Sequence, residues 1–362
     1  MMTSALFPIL LFVCSLPASA AVILDMAVIG DAGNAPDPVT GNQWGAVAYQ
    51  YRMGKFEVTN AQYVDFLNAK AKTSDPYHLY DSQMSTDARG GVSRTTSGGI
   101  STYRVSTTDT TIIGSGGNVR NRPVVFVSLY SAMRFCNWLQ NGQGNGDTET
   151  GAYTLFGGTP VPNNPDAIKR NPNATYFLPS HHEWYKAAYF QPASAGGDSD
   201  NYWFYPTRTN DLPNSDQPPG DPSIQTNVAN FFYDDGVANG YNDGYAITGS
   251  TGLGNRNYMT DVGSYINAST YYGTFDQGGN AWEWIEPKQG VLYPNTARGG
   301  SWSGTRGNLR ADAGGIVGAG SHGDLFRNFG FRVAAAIPEP TGVLPICLFG
   351  CLIRRFKRNA GQ

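Results

Sequence analysis

The sequence has little cysteine, and most of it lies outside the region that can form a globular core. Of four cysteines in 362 residues, Cys14 lies in an N-terminal apolar stretch and Cys347 and Cys351 lie in a C-terminal one. Cys347 and Cys351 have helical i, i+4 spacing and could in principle bind a metal, but small residues in a membrane run are the simpler interpretation. Cys136 alone remains between these stretches. One thiol excludes an internal disulfide framework.

Charge is also scarce, at 15% of residues, and the formal net charge is -3. The tail from Ile337 holds four basic residues and one acid, and residues 1–20 hold neither, which leaves 21 basic and 27 acidic residues between them. Without a basic stripe, we expect no nucleic-acid partner. The sequence also contains no Gly-x-Ser-x-Gly, His-Glu-x-x-His or phosphate-binding loop, so no motif indicates a hydrolase, zinc-protease or nucleotide site of the common kinds.

Glycine and aromatic residues are abundant: 45 glycines, 21 tyrosines, 18 phenylalanines and 7 tryptophans. Many glycines together with many large rings favour a loop-rich fold whose core is built from buried aromatic side chains. The length is sufficient for one large domain or two small ones.

The two ends of the chain are typical of an exported protein. Residues 1–20 combine a 12-residue apolar stretch with a small-x-small cleavage site, Ala18-Ser19-Ala20, and predict a signal peptide. A buried helix is the alternative. At the other end, Pro338-Glu339-Pro340 precedes an 11-residue apolar run and a cluster of basic residues. That run is short for a stable membrane span, and its basic flank would stay cytoplasmic.

The order of the C-terminal features resembles the PEP-CTERM sorting signals of Gram-negative bacteria. The resemblance implies that residues 337–362 contact the membrane transiently and are recognised by an exosortase. We therefore expect an exported protein of the cell surface, outer membrane or extracellular matrix, with one domain over residues 21–336.

Local patterns predict three helices and several strands in this domain. Thr59-x-x-Gln62 and Ser180-x-x-Glu183 are capping boxes that start helices, and Ser128 caps a third. Cys136 lies on the apolar face of that third helix, where a thiol is usually an inert small hydrophobe. The adjacent His181 and His182 point apart, are a poor metal pair, and are expected to be solvated. We expect strands at 21–26, within 45–58, at 100–105 and at 123–127, and a surface insertion at 84–118.

Six segments in order resemble the sulfatase-modifying-factor, or formylglycine-generating-enzyme, domain. They are Gly54-Lys55-Phe56-Glu57-Val58-Thr59-Asn60, Pro123-Val124-Val125-Phe126-Val127-Ser128, Leu178-Pro179-Ser180 with Glu183-Trp184, Gly279-Asn280-Ala281-Trp282-Glu283-Trp284, Arg298-Gly299-Gly300-Ser301-Trp302 and Asn328-Phe329-Gly330-Phe331-Arg332-Val333. The resemblance covers about 280 residues. It implies an irregular α+β fold of the C-type-lectin-like kind, with short strands, about three helices and long loops.

The resemblance also shows which chemistry is missing. Aerobic members oxidise a substrate cysteine to formylglycine with two cysteines that bind copper(I), a soft ion that prefers thiolates. The first position here is Gly304, and the second falls between Gly304 and Arg310, where there is no cysteine. We therefore expect no catalytic residues of this type and no copper. The family's iron-dependent sulfoxide synthases carry an extra histidine-bearing helical domain that this chain lacks.

The family's calcium-ligand positions are better matched in this chain than its copper-cysteine positions. The resemblance places one set of ligands at the Asp276 side chain, the Gly279 and Ala281 carbonyls and the Glu283 carboxylate. It places a second at Asn230, the Phe231 carbonyl, Asp243 and the Tyr245 carbonyl. Oxygen ligands that mix carboxylates and carbonyls suit calcium. The simpler alternative for Asp276 and Glu283 is a turn aspartate and a capped glutamate.

Three functions remain open. The first is a calcium-stabilised binding or structural module for a protein or glycan ligand, with a variable face that includes Arg306, Arg310, Asp312, His322 and Asp324. The second is an enzyme with non-standard chemistry in the same cleft. The third, a sulfatase activator that uses Cys136, requires an exposed thiol.

Overall fold

The computed structural model describes residues 21–107, 119–159, 161–287, 295–314, 316–317 and 327–337. The predicted signal peptide, the tail beyond Ile337, His322 and Asp324 lie outside these residues. Among the described helices, none has the length and apolar character needed to cross a membrane.

All three predicted helices form where their capping residues indicate. Thr59 and Ser180 each complete a reciprocal capping box, and the Ser128 hydroxyl accepts a hydrogen bond from the Ser131 amide. A fourth, single-turn helix lies at the start of the insertion. The helices are α1 (Asn60–Lys70), α2 (Gln83–Thr86), α3 (Leu129–Gln140) and α4 (His181–Tyr189).

The strands are short and belong to several small sheets. They are β1 (Met26–Ile29), β2 (Tyr51–Gly54), β3 (Val92–Ser97), β4 (Ile100–Val105), β5 (Tyr176–Phe177), β6 (Asn214–Ser215), β7 (Val228–Ala229), β8 (Phe232–Asp234), β9 (Asp243–Tyr245), β10 (Trp282–Trp284), β11 (Asn295–Arg298), β12 (Ile316–Val317), β13 (Phe329–Phe331) and β14 (Ala334–Ala336). Two four-stranded sheets have the orders β1-β2-β14-β5 and β12-β11-β10-β13, and three strand pairs, β3-β4, β6-β7 and β8-β9, complete the set in the described ranges. This architecture confirms the irregular α+β fold.

The strand predictions are less accurate than the helix predictions. The strand at 100–105 is confirmed, but the first strand starts at Met26 because only 26–29 pair with β2. Only 51–54 of the segment 45–58 form a strand. The stretch 123–127 makes one isolated bridge, at Pro123, and Phe126 adopts a positive φ of 61°, which interrupts a strand.

The main core lies between α1, α3 and the strand β13. Rings of Tyr63 and Phe66 on α1 meet Phe135 on α3, and Phe135 contacts Phe331 edge-on with centroids 5.4 Å apart. Cys136 belongs to this core and is fully buried. A second aromatic cluster, centred on Trp184 and Tyr185, packs α4 beside β10. Trp282 and Trp284 of β10 belong to the main core, and Ile285, which follows β10, belongs to the second cluster.

Candidate functional site

A buried ion pair organises the centre of the molecule at strand β10. The Glu283 carboxylate accepts hydrogen bonds from the Arg332 Nε and Nη2 atoms, both at 2.5 Å, and from the Trp184 indole at 2.6 Å. Glu283 and Arg332 have no exposed surface. Arg332 also donates to the carbonyls of Gly54 and Phe275. The Arg332 guanidinium thus links β10 to Gly54, the last residue of β2, and to Phe275.

Two further carboxyl groups lie close to this pair, so three carboxyl groups share one arginine. Glu57 is buried, its Oε1 atom accepts from the Asn280 amide at 3.1 Å, and its Oε2 atom has no partner among the described residues. Burial, and then the charge of Asp276, raise the pKa of Glu57 well above its usual range. Burial also raises the pKa of Asp276 to about 6, although the Gly263 amide donates to it.

The turn that leads into β10 needs special backbone conformations. Asp276 and Asn280 have φ values of 60° and 56°, and Gly279 has 96°. A Cβ atom on Gly279 would lie 2.2 Å from the Asn230 carbonyl oxygen, so only glycine fits there. The Asn280 side chain fixes the turn because its Oδ1 atom accepts from the Thr260 amide and from the Asn230 side chain.

In the first predicted calcium set, Asp276 suits a cation and Glu283 does not. The unpartnered Glu57 oxygen and the raised pKa of Asp276 are features that a bound cation would relieve. Glu283, however, is already engaged by Arg332 and Trp184. No group of three or more acidic, histidine or cysteine side chains in the described residues is arranged to hold a metal. A void of about 10 Å³, the size of one water, touches Asp276 but not Glu283. Calcium here would therefore depend on Asp276 and the Gly279 and Ala281 carbonyls.

The second predicted set is brought together only in part. Phe231 immediately precedes β8, and Asp243 and Tyr245 lie on its partner strand β9. The Ser215 hydroxyl lies 2.7 Å from the Phe231 carbonyl, and the Tyr245 carbonyl accepts from two backbone amides of its own turn. The Asn230 side chain donates to the Tyr258 carbonyl. Calcium here would have to share the Phe231 and Tyr245 carbonyl oxygens with these hydrogen bonds.

The loop at Gly304, where the family resemblance places the first copper cysteine, is closely packed. A Cβ atom at Gly304 would lie 3.0 Å from the Ser301 nitrogen and 3.1 Å from Asn308 Oδ1. Leu309 is fully buried and packs with Tyr205 and Phe231. The polar side chains nearby include Ser301 and Ser303, whose hydroxyl oxygens accept hydrogen bonds from the Asn328 side-chain amide. None of these groups is a soft ligand.

Cys136 is not available as a substitute for those thiols. It has no exposed surface, and burial raises the pKa of its thiol well above the usual range. A protonated, enclosed thiol is a poor nucleophile and a poor copper ligand. The prediction of an inert Cys136 is consistent with this position.

The face predicted to be variable presents charged groups next to aromatic rings. Arg310 and Asp312 form a bidentate ion pair, and the Arg310 guanidinium lies 4.6 Å from the Phe204 ring centroid. Arg306 lies 5.7 Å from the Tyr233 ring centroid. Away from this face, the expectation that both α4 histidines are solvated is wrong for His181, which is buried and stacks on Trp44 at 3.8 Å.

Three residues in or beside the Glu283–Arg332 ion pair are not among the site residues that the sequence predicts. Glu57, Asn280 and Arg332 all lie within the motifs that carry the family resemblance, but nothing local distinguishes them from scaffold residues. One signal is present in the sequence: Arg332 stands in an otherwise apolar stretch, Phe329-Gly330-Phe331-Arg332-Val333. Buried charges of that kind need partners.

Comparisons with known proteins agree with the motifs. Residues 43–337 match the family described as "Sulfatase-modifying factor enzyme 1-like domain". Among curated proteins, none matches the chain. The chain resembles the crystal structure of CarF, with 18% identity, a TM-score of 0.49 and coverage of 87% of this chain and 99% of CarF.

Two other solved structures are similar at comparable levels. Treponema denticola variable protein 1 has 17% identity and a TM-score of 0.46, and the match covers 88% of this chain and 97% of that one. PvdO from Pseudomonas aeruginosa has 17% identity and a TM-score of 0.41, with coverage of 86% and 94%.

Proposed function

Because this chain belongs to the family of sulfatase-modifying factor enzyme 1-like domains, we propose that it is an exported binding or structural module that keeps the family scaffold without its copper chemistry. The scaffold residues are those of the Glu283–Arg332 cluster and the aromatic core. The binding surface is the face around Arg306, Arg310 and Asp312, and the ligand is a protein or a glycan.

The packing of the loop after Ser301 is the observation that carries this proposal. A copper(I) site needs two thiolates at the surface of a cleft. Here the first position is a glycine whose Cβ would lie 3.0 Å from the Ser301 nitrogen and 3.1 Å from Asn308 Oδ1, and the loop that follows buries Leu309 in an apolar cluster. The loop after Ser301 therefore has packed apolar and hydroxyl side chains where a copper(I) site would need thiolates.

The test is an assay of formylglycine formation. The protein would be incubated with copper(I), dioxygen, a thiol reductant and a peptide that carries a sulfatase-type cysteine, with a copper-containing member of the family as positive control. Mass spectrometry should show the unmodified peptide. Aldehyde formation that disappears in Cys136→Ser would overturn the proposal and establish Cys136 as an unforeseen catalytic thiol.

We further propose that residues 337–362 direct sorting to the cell surface or matrix through an exosortase. The Pro-Glu-Pro, apolar and basic order supports this. Fractionation of cells that express the full chain, or a chain that ends at Ala336, tests it. The full chain should reach the surface with a shortened C-terminus by mass spectrometry. Equal surface delivery of both chains would contradict it.

A further inference from the structure

A cavity of about 290 Å³ opens on the surface between the start of the domain and the loop after α4. Its walls combine aromatic rings with acidic side chains, and no lysine or arginine lines it. The lining residues are Asp37, Val39, Asp198, Asp200, Tyr202, Trp203, Phe204 and Asn210. All lie in the described part of the chain, and none of them is Glu283, Arg332 or a residue of the loop that begins at Gly304.

Each side-chain donor group of this lining already makes a hydrogen bond within the protein. The Asn210 amide donates to Asp198, the Trp203 indole donates to Gln191 at 2.9 Å, and the Tyr202 hydroxyl donates to the Ala35 carbonyl at 2.7 Å. The side chains therefore offer mainly acceptors and ring faces to a ligand. A sugar needs both donors and acceptors, and an anion needs donors, so neither suits this lining.

The charge of the lining favours a cation. The Asp37 carboxylate is buried beneath the cavity, where it is held by the Tyr185 hydroxyl and the Val39 amide. Burial raises the pKa of Asp37, and the charges of Asp200 and Asp312 raise it further. Asp198 and Asp200 add two more carboxylates to a lining without lysine or arginine, so a positively charged ligand would be attracted to it.

The protein itself shows the same chemistry at the edge of the cavity. The Arg310 guanidinium lies over Phe204, one of the lining rings, and pairs with Asp312 through two bonds of 2.8 and 2.6 Å. A guanidinium is thus already accommodated between a ring and a carboxylate beside the cavity. Arginine is the side chain best suited to combine ring stacking with bidentate carboxylate pairing.

We propose that this cavity binds an arginine side chain presented by a partner protein, with Trp203 as the ring contact and Asp200 as the carboxylate contact. This inference rests on the proposed binding function and names the chemistry of its ligand. Asp200 fits the role because its Oδ1 atom accepts from the Tyr202 amide, which fixes the carboxylate and leaves Oδ2 for a ligand.

A pair of probes that differ only in charge tests the proposal. The full-length protein would be titrated by calorimetry with a capped arginine and with capped citrulline, which has nearly the same shape but no charge. Arginine should bind at least about tenfold more tightly, the effect of about 1.4 kcal/mol, and its affinity should fall as salt is added. Equal binding of the two probes, or no binding of arginine, would overturn the proposal.

A matched pair of variants locates the site. Asp200→Asn keeps the oxygen that accepts from Tyr202 and removes the charge, so arginine affinity should fall about tenfold while the melting temperature is unchanged. Asp221→Asn removes an exposed aspartate outside the lining, also bonded within its own turn, and should bind arginine as the wild type does. Equal losses in both variants would place binding elsewhere and overturn the assignment. The two proposals can fail separately. If capped arginine does not bind and the protein also forms no formylglycine, the arginine ligand of the cavity is wrong, whereas the proposed binding module without copper chemistry is not contradicted.

Discussion

Arg332 and Glu283 form a two-bond ion pair between β10 and the segment after β13, with no exposed surface on either side chain. The pair joins residues 49 positions apart in the chain. Trp184 adds a third bond from α4. Charges buried this completely stabilise a fold only when both partners are present, because a lone buried charge is costly.

Replacement of Glu283 by glutamine is therefore expected to destabilise the protein strongly. Glutamine keeps the shape but leaves the Arg332 charge without a buried counter-ion, which should lower the free energy of unfolding by about 3–5 kcal/mol. Urea denaturation measures the loss. The more exposed Arg310–Asp312 pair is the control, since Asp312→Asn should cost less than about 1 kcal/mol. Similar losses in the two variants would show that the buried pair has no special weight.

Gly279 is expected to tolerate no side chain. In Gly279→Ala the positive φ costs about 1–2 kcal/mol, and the new methyl group meets the Asn230 carbonyl, which adds about 1–3 kcal/mol of overpacking. Gly273→Ala is a matched control, because Gly273 has a φ of 78° and nothing lies within 4 Å of the position that its Cβ would take. The difference in unfolding free energy between the two variants isolates the steric contribution. No difference would mean that the turn can shift away from Asn230.

The free energy of unfolding is expected to depend on pH in alkaline solution because of Lys186. Burial lowers the pKa of its ammonium group from 10.5 to about 8, although Asp31 raises it in part. The folded protein then binds fewer protons than the unfolded chain between pH 8 and 10.5, so stability rises with pH across that window. The full effect is no more than about 3 kcal/mol, since water partly screens the ammonium group.

The measurement is urea unfolding of the wild type and Lys186→Met at several pH values. The difference between them should move in favour of the wild type as pH rises from 8 to 10.5. Tyrosine ionisation affects both proteins alike and cancels in that difference. Parallel stability curves would show that the Lys186 ammonium is not penalised by its environment.

Calcium is expected to raise the melting temperature, and EDTA to lower it, because an ion at Asp276 would favour the ionised form of a carboxyl group whose pKa burial raises. Asp276→Ala should remove the calcium-dependent part of the shift. Asp221→Ala, an exposed control, should retain it. Stabilisation by copper(I) instead would point to a soft-metal site and favour the enzyme alternative. A calcium shift that survives in Asp276→Ala would assign the ion to the Asn230–Asp243 set.

The helices are predictable because their start signals are local. A capping box needs only residues within one turn, so Thr59 with Gln62 and Ser180 with Glu183 indicate α1 and α4 without knowledge of the rest of the fold. Strands are harder to predict because strand formation needs a partner. The apolar stretch after Pro123 looks like a strand, yet it makes one bridge and turns at Phe126.

The sequence by itself determined the composition of the core, the three capped helices, the family motifs and the absence of cysteine between Gly304 and Arg310. Only the tertiary structure decided where the charges go. It brings Glu57, Asp276, Glu283 and Arg332 together from distant segments, leaves one Glu57 oxygen without a partner among the described residues, and gathers Asp37 and Asp200 around a ring-lined cavity. Local patterns act over one helical turn, whereas electrostatic partners and cavities are set by long-range contacts, and these exist only once the chain has folded.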